Sequence, residues 1–118
     1  MTDARLAALL ERIRAFAAER DWDRFHSPKN LSMALAAEAG ELLEHFQWLT
    51  EEQSAALDPE KLAQVRHELA DVLIYLLRLA DKLGVDLLEA ADEKIELNAL
   101  KYPADRVRGD ARKYTEYD

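Results

Sequence analysis

Two pairs of acidic residues, each with a spacing of three, are the residues of this chain best suited to chemistry. The first pair is Glu38 and Glu41, and the second is Glu68 and Asp71. Residues three apart lie on the same face of a helix, so each pair presents two carboxylates side by side. Four carboxylates gathered from two helices would form an oxygen-only cation site of the kind that Mg²⁺ prefers.

The second pair lies beside a strongly apolar run. Asp71 is followed by the six residues 72–77, Val-Leu-Ile-Tyr-Leu-Leu, which are typical of a protein core. A carboxylate in such surroundings must be neutral, ion-paired or bound to a metal, because an isolated buried charge is too costly. The competing interpretation is a solvated helix face, since 24 acidic residues among 118 produce such pairs often by chance. Spacing alone favours the solvated face, and the apolar surroundings reduce that preference without reversing it.

The composition indicates one mostly helical domain spanning residues 1–118. Hydrophobic residues make up 49% of the chain and charged residues 34%, with only three glycines and three prolines. Cysteine is absent, which excludes disulfides and thiolate metal sites. The net charge of −8 argues against a nucleic-acid binder, because such binding depends on Lys and Arg neutralising phosphates.

Neither a signal peptide nor a membrane-spanning segment is expected. The first sixteen residues interrupt their apolar positions with charges at helical spacing. The apolar stretches elsewhere are too short to cross a bilayer. We therefore expect a cytoplasmic protein that does not bind membranes.

Four helices must position the acids. Hydrophobic periodicity and capping residues predict them over residues 3–19, 30–48, 59–83 and 86–101. Asn30 is the expected N-cap of the second helix, and Gly84 the expected C-cap of the third. Thr50 with Gln53 matches a capping box that would open a short helical turn. The tail, residues 102–118, shows no clear period and is predicted to be extended and irregular.

The third predicted helix is apolar over most of its circumference. One arc repeats at alternating spacings of three and four: Leu62, Val65, Leu69, Val72, Leu76, Leu79 and Leu83. The remaining polar strip is narrow and consists of Gln64, Glu68, Asp71, Tyr75, Arg78 and Lys82. A helix of this kind is buried on most sides, so we expect a dimer or a larger helical assembly.

The second predicted helix carries a polar stripe beside its core stripe. Glu38, Glu41, His45 and Trp48 follow at spacings of three, four and three, which places Trp48 on the side of the acids. Trp48 could hold a planar ring at the edge of a metal site, but a core or interface tryptophan is the more common outcome.

Other chemistries have little support in the sequence. A di-iron bundle needs Glu-x-x-His pairs, and none of the three histidines follows a Glu at that spacing. Glycines only at positions 40, 84 and 109 exclude a glycine-rich phosphate loop.

With these motifs in place, the chain resembles the MazG-like superfamily of all-α nucleoside triphosphate pyrophosphohydrolases, and within it the dCTP pyrophosphatase branch. The superfamily signature, E-x-x-E on one helix and E-x-x-D on the next, is matched by EAGE at 38–41 and ELAD at 68–71. Further similarity runs through ERDWDRFHSPKNL, FQW, DVLIYLLRLA and the tail motifs KYP and RG-x-x-x-KYT. It covers roughly residues 12–115.

The resemblance implies a four-helix-bundle-type fold in a homotetramer built as a dimer of dimers. It implies hydrolysis of a nucleoside triphosphate between the α and β phosphates, with Mg²⁺ bound by Glu38, Glu41, Glu68 and Asp71. It also implies that Trp22 and Trp48 line the base pocket and that Tyr75 lies near the sugar. The phosphate contacts that it implies are Lys94, Asn98, Lys113 and Tyr114, partly from a neighbouring subunit.

One position departs from the dCTP pyrophosphatase pattern. That branch carries a histidine nine residues before the tryptophan that matches Trp22, where this chain has Ile13. The expected function is therefore Mg²⁺-dependent cleavage of dCTP or a related, including modified, pyrimidine deoxynucleotide, as part of nucleotide-pool housecleaning. The alternatives are a broad-specificity nucleotide pyrophosphohydrolase and a non-catalytic helical interaction protein.

Overall fold

The computed structural model describes residues 3–109, and within that range every regular element is helical. The helices are α1 (Ala4–Glu19), α2 (Pro28–Glu44), α3 (Glu51–Ala55), α4 (Pro59–Leu83), α5 (Leu87–Lys101) and α6 (Ala104–Val107), with a 3₁₀ turn at Asp23–Phe25. The all-α prediction is confirmed. No helix in the described part of the chain is long and apolar enough to cross a membrane.

The chain divides into two compact units. The first covers residues 1–85 and contains α1 to α4, and the second begins at residue 86 and contains α5 and α6. In the first unit α4 packs along α2 and, over a shorter contact, against α1. Leu10, Leu31, Val65 and Leu77 are buried between these three helices. The acid pairs of α2 and α4 therefore belong to one packed unit.

Several helix boundaries are set by the predicted capping residues. Asp58 caps α4, where Pro59 occupies the first position, and Gly84 ends it with φ at 68°. That left-handed conformation is inexpensive only for glycine, which has no Cβ. Thr50 and Gln53 form both hydrogen bonds of the capping box that opens α3. These predicted boundaries are confirmed.

The start of α2 differs from the prediction. The N-cap is Ser27, three residues before the predicted N-cap Asn30. The Ser27 side chain accepts a hydrogen bond from the backbone amide of Asn30. Pro28 is the first helical residue, because its fixed φ suits that position and its missing N–H is not needed there. The Asn30 side chain instead donates to the Phe25 carbonyl at 3.0 Å.

The end of α2 also differs. The helix ends at Glu44 rather than near Trp48, and residues 45–49 form tighter turns in which His45 N–H bonds to the Leu42 carbonyl at 3.2 Å. Such i→i−3 bonds satisfy carbonyls that a helix end leaves without partners. The predicted irregular tail likewise contains the short helix α6.

The two faces of α4 are used differently from the expectation. Arg78 of the polar strip is buried, whereas Leu62, Leu69 and Leu83 of the apolar arc are each more than half exposed in the single chain. Part of the polar strip, at Glu68, Tyr75 and Arg78, is thus at least partly buried within the chain, and much of the apolar arc remains on the surface.

Candidate active site

Three carboxylates from two helices converge in the first unit. Glu38 and Glu41 lie one turn apart on α2, and Glu68 lies on α4, which packs along α2. One carboxylate oxygen from each of the three lies within 4.8 Å of the others. The i,i+3 spacing aligns the first two, and the contact between the helices brings the third to them.

Two oxygens of this cluster are buried without a partner. Among residues 3–109, Glu38 Oε2 and Glu68 Oε2 are the buried side-chain oxygen or nitrogen atoms that make no hydrogen bond. Buried polar atoms are nearly always satisfied, so such orphans call for an ion or another ligand. An all-oxygen carboxylate set fits a hard divalent cation such as Mg²⁺. The residues present therefore fit the expected metal.

The carboxylates of the cluster lie close enough together to repel one another and to change their affinity for protons. The pKa of Glu38 is raised from 4.5 to about 7, most strongly by burial and next by the adjacent carboxyl of Glu41, through hydrogen bonding and charge. The charges of Asp71 and Glu68 act in the same direction. Glu38 therefore carries a proton for much of the time near neutral pH when no cation offsets its neighbours.

Asp71 takes a separate place in the site. It is exposed, and its charge acts on Glu38, but it is outside the group of three oxygens within 4.8 Å. Together with Glu38 it lines a cavity next to the cluster. The structure thus gathers three of the four predicted ligands tightly and places the fourth at the cavity wall.

His45, at the C-terminal end of α2, also approaches the cluster. Its Nε2 lies 3.7 Å from Glu68 Oε1, and its Nδ1 lies 3.3 Å from Lys61 Nζ. Sequence reasoning had placed His45 on the stripe of the acids without a role. Its position four residues after Glu41 could have indicated a role at the site, because residues four apart are neighbours on one face of a helix.

A cavity of about 400 Å³ opens beside the acids. Its lining combines apolar, aromatic and charged side chains: Leu9, Arg12, Ile13, Phe16, Ala17, Trp22, His26, Glu38, Asp71, Ile74, Tyr75 and Arg78. The volume is in the range of small-molecule sites, and a mostly apolar wall with a few polar groups is their usual character. The predicted site residues Trp22 and Tyr75 are brought to the same cavity as Glu38 and Asp71.

Local backbone geometry brings Trp22 to the cavity. The Trp22 amide bonds back to the Ala17 carbonyl at 2.9 Å and the Asp21 amide to the Ala18 carbonyl at 3.1 Å, with Asp21 at a φ of 55°. This is a Schellman-type end of α1, in which aspartate takes the left-handed position usually held by glycine. The Trp22 ring then meets the Phe16 ring edge to face.

The polar lining residues His26 and Arg78 received no site role from the sequence. His26 follows the 3₁₀ turn, and its Nδ1 accepts a hydrogen bond from Arg78 Nε at 3.3 Å. Burial and the Arg78 charge lower the pKa of His26, so its ring is neutral at physiological pH. The position of Arg78 was readable, because it continues the strip of Asp71 and Tyr75 at spacings of four and three.

Trp48 does not join this cavity within one chain. Its side chain is 87% exposed, and it is not part of the cavity lining. The spacing argument that placed it beside the acids assumed a continuous helix, but α2 ends at Glu44. The turns of residues 45–49 redirect the chain before Trp48.

The predicted phosphate contacts fall outside the acid cluster. Lys94 and Asn98 lie one turn apart on α5, in the second unit, and both are exposed. Lys113 and Tyr114 lie outside the described residues.

Known proteins resemble this chain over most of its length. Residues 33–117 match the MazG-like family. The chain is 48% identical over 103 residues to dCTP pyrophosphatase 1 of Homo sapiens and 50% identical over the same length to that of Mus musculus, which covers 86% of this chain. It spans 61% of the length of these relatives.

A solved structure shows the same fold. The crystal structure of a pyrophosphatase from Archaeoglobus fulgidus superimposes with a TM-score of 0.81 at 38% sequence identity. The match covers 87% of this chain and 96% of the archaeal one. On the family match and the identity to these relatives, together with its acid-lined helical fold, the chain belongs to the MazG-like family.

Proposed function

We propose that this protein is a Mg²⁺-dependent nucleotide pyrophosphohydrolase that cleaves dCTP or a related pyrimidine deoxynucleoside triphosphate to the monophosphate and pyrophosphate. One observation carries the proposal: an acidic cluster with two buried, unsatisfied carboxylate oxygens lies beside an aromatic-lined cavity of about 400 Å³. The relatives named dCTP pyrophosphatase 1 support the substrate.

Glu38, Glu41 and Glu68 are the residues that would hold the metal, with Asp71 beside them at the cavity wall. When bound, Mg²⁺ supplies neutralisation of phosphate oxygens and a lowered pKa for water. The chain's own contribution is positioning: helices α2 and α4 fix the carboxylates, and the Trp22 ring, which meets Phe16 edge to face, is available for a base to stack on.

Phosphate contacts from α5 and the tail remain part of the proposal. Lys94 and Asn98 are four residues apart and therefore share one helix face. Lys113 and Tyr114 follow from the family resemblance. Lys94→Ala is expected to raise KM for the triphosphate with little change in the helical content.

The assembly is proposed to be a homotetramer. The exposed leucines of α4, among them Leu62, Leu69 and Leu83, are the support, since such a surface is usually covered. In an assembly, Trp48 would reach a base pocket from a neighbouring subunit. Light scattering after size exclusion is expected to give a mass four times that of one chain, and a monomer would refute this arrangement.

A nucleotide panel with product analysis tests the reaction directly. Incubation with Mg²⁺ and each of the common dNTPs and NTPs is expected to release pyrophosphate and monophosphate, fastest from dCTP or another pyrimidine deoxynucleotide. Equal rates across the panel would favour a broad-specificity pyrophosphohydrolase. Release of orthophosphate alone would refute cleavage between the α and β phosphates. The absence of product from every nucleotide would refute the enzyme and favour a helical interaction protein.

Site variants test the assignment of residues. Glu41→Ala and Asp71→Ala are expected to abolish turnover while the far-UV circular dichroism stays unchanged. Glu44→Ala is the matched control, because Glu44 is an exposed acid of α2, one turn beyond Glu41, that does not belong to the cluster. Turnover retained in Glu41→Ala would refute its role as a ligand. A cytoplasmic location is part of the proposal.

A further inference from the structure

The 3₁₀ turn Asp23–Phe25, which is flanked by Trp22 and His26, is attached to α4 through one buried arginine. Arg78 is 4% exposed, although arginines are rarely buried unless they are paired. Its Nη2 donates to Asp23 at the start of the turn, and its Nε donates to His26 Nδ1 just after the turn at 3.3 Å. Arg78 therefore contacts both ends of the turn.

The rest of the Arg78 side chain is also engaged. Its Nη1 donates to Asp81 Oδ2 at 3.3 Å, and Asp81 in turn accepts from Arg14 Nε of α1 at 2.9 Å. Lys82 Nζ donates to Asp23 at 2.6 Å. Each nitrogen of Arg78 thus has a protein acceptor. The guanidinium therefore links α1, the turn and α4, with one protein acceptor on each of its three nitrogens.

Beyond the ion pairs, the turn is held by the Phe16–Trp22 ring contact and by the hydrogen bond from Asn30 to the Phe25 carbonyl. Trp22 is 44% exposed and Phe25 is 55% exposed, so little of the turn's apolar surface is buried within the chain. Its backbone begins from Asp21, whose positive φ is costly for a residue with a Cβ. A short turn with these properties needs side-chain contacts to fix its position.

Arg78 and one member of the acid cluster, Glu68, lie on the same helix, α4. Glu68 lies ten residues before Arg78 on α4, a separation of about 15 Å along a helix axis. Tyr75, three residues before Arg78, lines the cavity with Trp22. A continuous helix is rigid, so contacts made at Arg78 set the position of the turn relative to the acids.

We propose that Arg78 is a positioning residue that holds Trp22, through Asp23 and His26, at a fixed distance from the acid cluster. This inference rests on the proposed nucleotide substrate. A base stacked on Trp22 can then keep its triphosphate at the carboxylates without ordering the turn at each binding event. The expected benefit is in binding, since pre-organised sites do not lose free energy to ordering.

Asp23→Asn is the principal variant. It weakens the bonds from Arg78 and Lys82, and the Asp23 side chain is 60% exposed, so the substitution leaves the core intact. Asp21→Asn is the matched control: it makes the same change in charge close to the turn, but within residues 3–109 the ion pair of the Asp21 carboxylate is with Arg24, on the surface at 3.3 Å. Asparagine also tolerates the left-handed conformation of position 21.

The first readout is the mobility of Trp22 and needs no substrate. In a Trp48→Phe background, used for fluorescence alone, Asp23→Asn is expected to increase acrylamide quenching about twofold, while Asp21→Asn leaves it unchanged. Arg78→Lys, which keeps the charge but has a single nitrogen, is expected to behave as Asp23→Asn does. Equal quenching in Asp23→Asn and Asp21→Asn would overturn the proposal.

The second readout is the split between KM and kcat, measured with Trp48 present. Asp23→Asn is expected to raise KM for the preferred triphosphate about tenfold and to change kcat less than twofold. Increased quenching without a change in KM would overturn the role in nucleotide binding. A protein that hydrolyses no nucleotide would reject the proposed function, and the quenching comparison would still decide whether Arg78 positions Trp22.

Discussion

The rings of Phe16 and Trp22 meet edge to face, with their centroids 5.7 Å apart and their planes at 72°. Phe16 belongs to α1 and Trp22 to the turn that follows it, so the contact spans the Schellman-type end of the helix. Edge-to-face geometry is a favoured arrangement of aromatic pairs. It fixes the Trp22 ring as part of the wall of the cavity beside the acids.

Removal of the Trp22 ring should weaken nucleotide binding. Stacking of a base on an aromatic side chain contributes about 1–3 kcal/mol, so Trp22→Leu is expected to raise KM for the preferred triphosphate about tenfold or more. Phe25→Leu is the control, because Phe25 belongs to the same turn but does not line the cavity. Steady-state kinetics of both variants test this, and equal values of KM would contradict the assignment of Trp22 to the pocket.

Mg²⁺ binding should weaken as the pH falls below 7. The cation needs ionised carboxylates, and Glu38 has a pKa of about 7 when no cation is present. Protons therefore compete with the metal, and the Kd for Mg²⁺ is expected to rise about fivefold between pH 7 and pH 6. Isothermal titration calorimetry in buffers of different ionisation enthalpy should show proton release. An affinity that is constant from pH 8 to pH 6 would contradict this.

The same carboxyl group should affect the stability of the metal-free protein. The pKa of Glu38 is higher in the folded chain than its ordinary value of 4.5, so its stabilising contribution is present below that value and is lost as the pH rises through about 7. Urea unfolding without metal is expected to show a lower midpoint at pH 8 than at pH 6, and excess Mg²⁺ should remove the difference. Glu38→Gln serves as the control, and its urea midpoint should not differ between pH 6 and pH 8 for this reason.

Acid should destabilise the network around Arg78. The hydrogen bond from Arg14 lowers the pKa of Asp81, and the hydrogen bond from Lys82 lowers that of Asp23. Because both values lie below the ordinary 3.8, their stabilising contribution is present above it and is lost as the pH falls through the lowered values. Thermal unfolding between pH 6 and pH 2 should show this loss, and Asp81→Asn should reduce it. The control is Asp92→Asn, an exposed position on α5.

The core between α2 and α4 should be sensitive to truncation. Leu31 is 1% exposed, and Leu31→Ala is expected to reduce the free energy of unfolding by about 2–5 kcal/mol. Leu43 lies on the same helix but is 59% exposed, so Leu43→Ala should change it by less than about 0.5 kcal/mol. Urea denaturation measures both. A loss at Leu43 equal to that at Leu31 would show that another subunit covers this face.

Sequence reasoning predicted the local features whose causes lie within a few residues. The left-handed end of α4 at Gly84 and the capping box at Thr50 depend only on backbone chemistry, and both are confirmed. The alignment of Glu38 with Glu41 follows from helix geometry alone. The start of α2 was harder to predict, because serine and asparagine are both good N-caps. The fit of Pro28 at the first helical position is what favours Ser27 over Asn30.

Tertiary structure decided which of these local features meet. The sequence contains the pairs at 38–41 and 68–71, but only the packing of α4 along α2 brings Glu68 within reach of Glu38 and leaves Asp71 at the cavity wall. The same packing buries Arg78 and leaves Leu69 on the surface, the reverse of what their hydrophobicity suggests. Periodicity defines the faces of a helix, whereas the face that is covered depends on partners far away in sequence. For that reason the acid pairs were readable as a motif, and the cavity beside them was not.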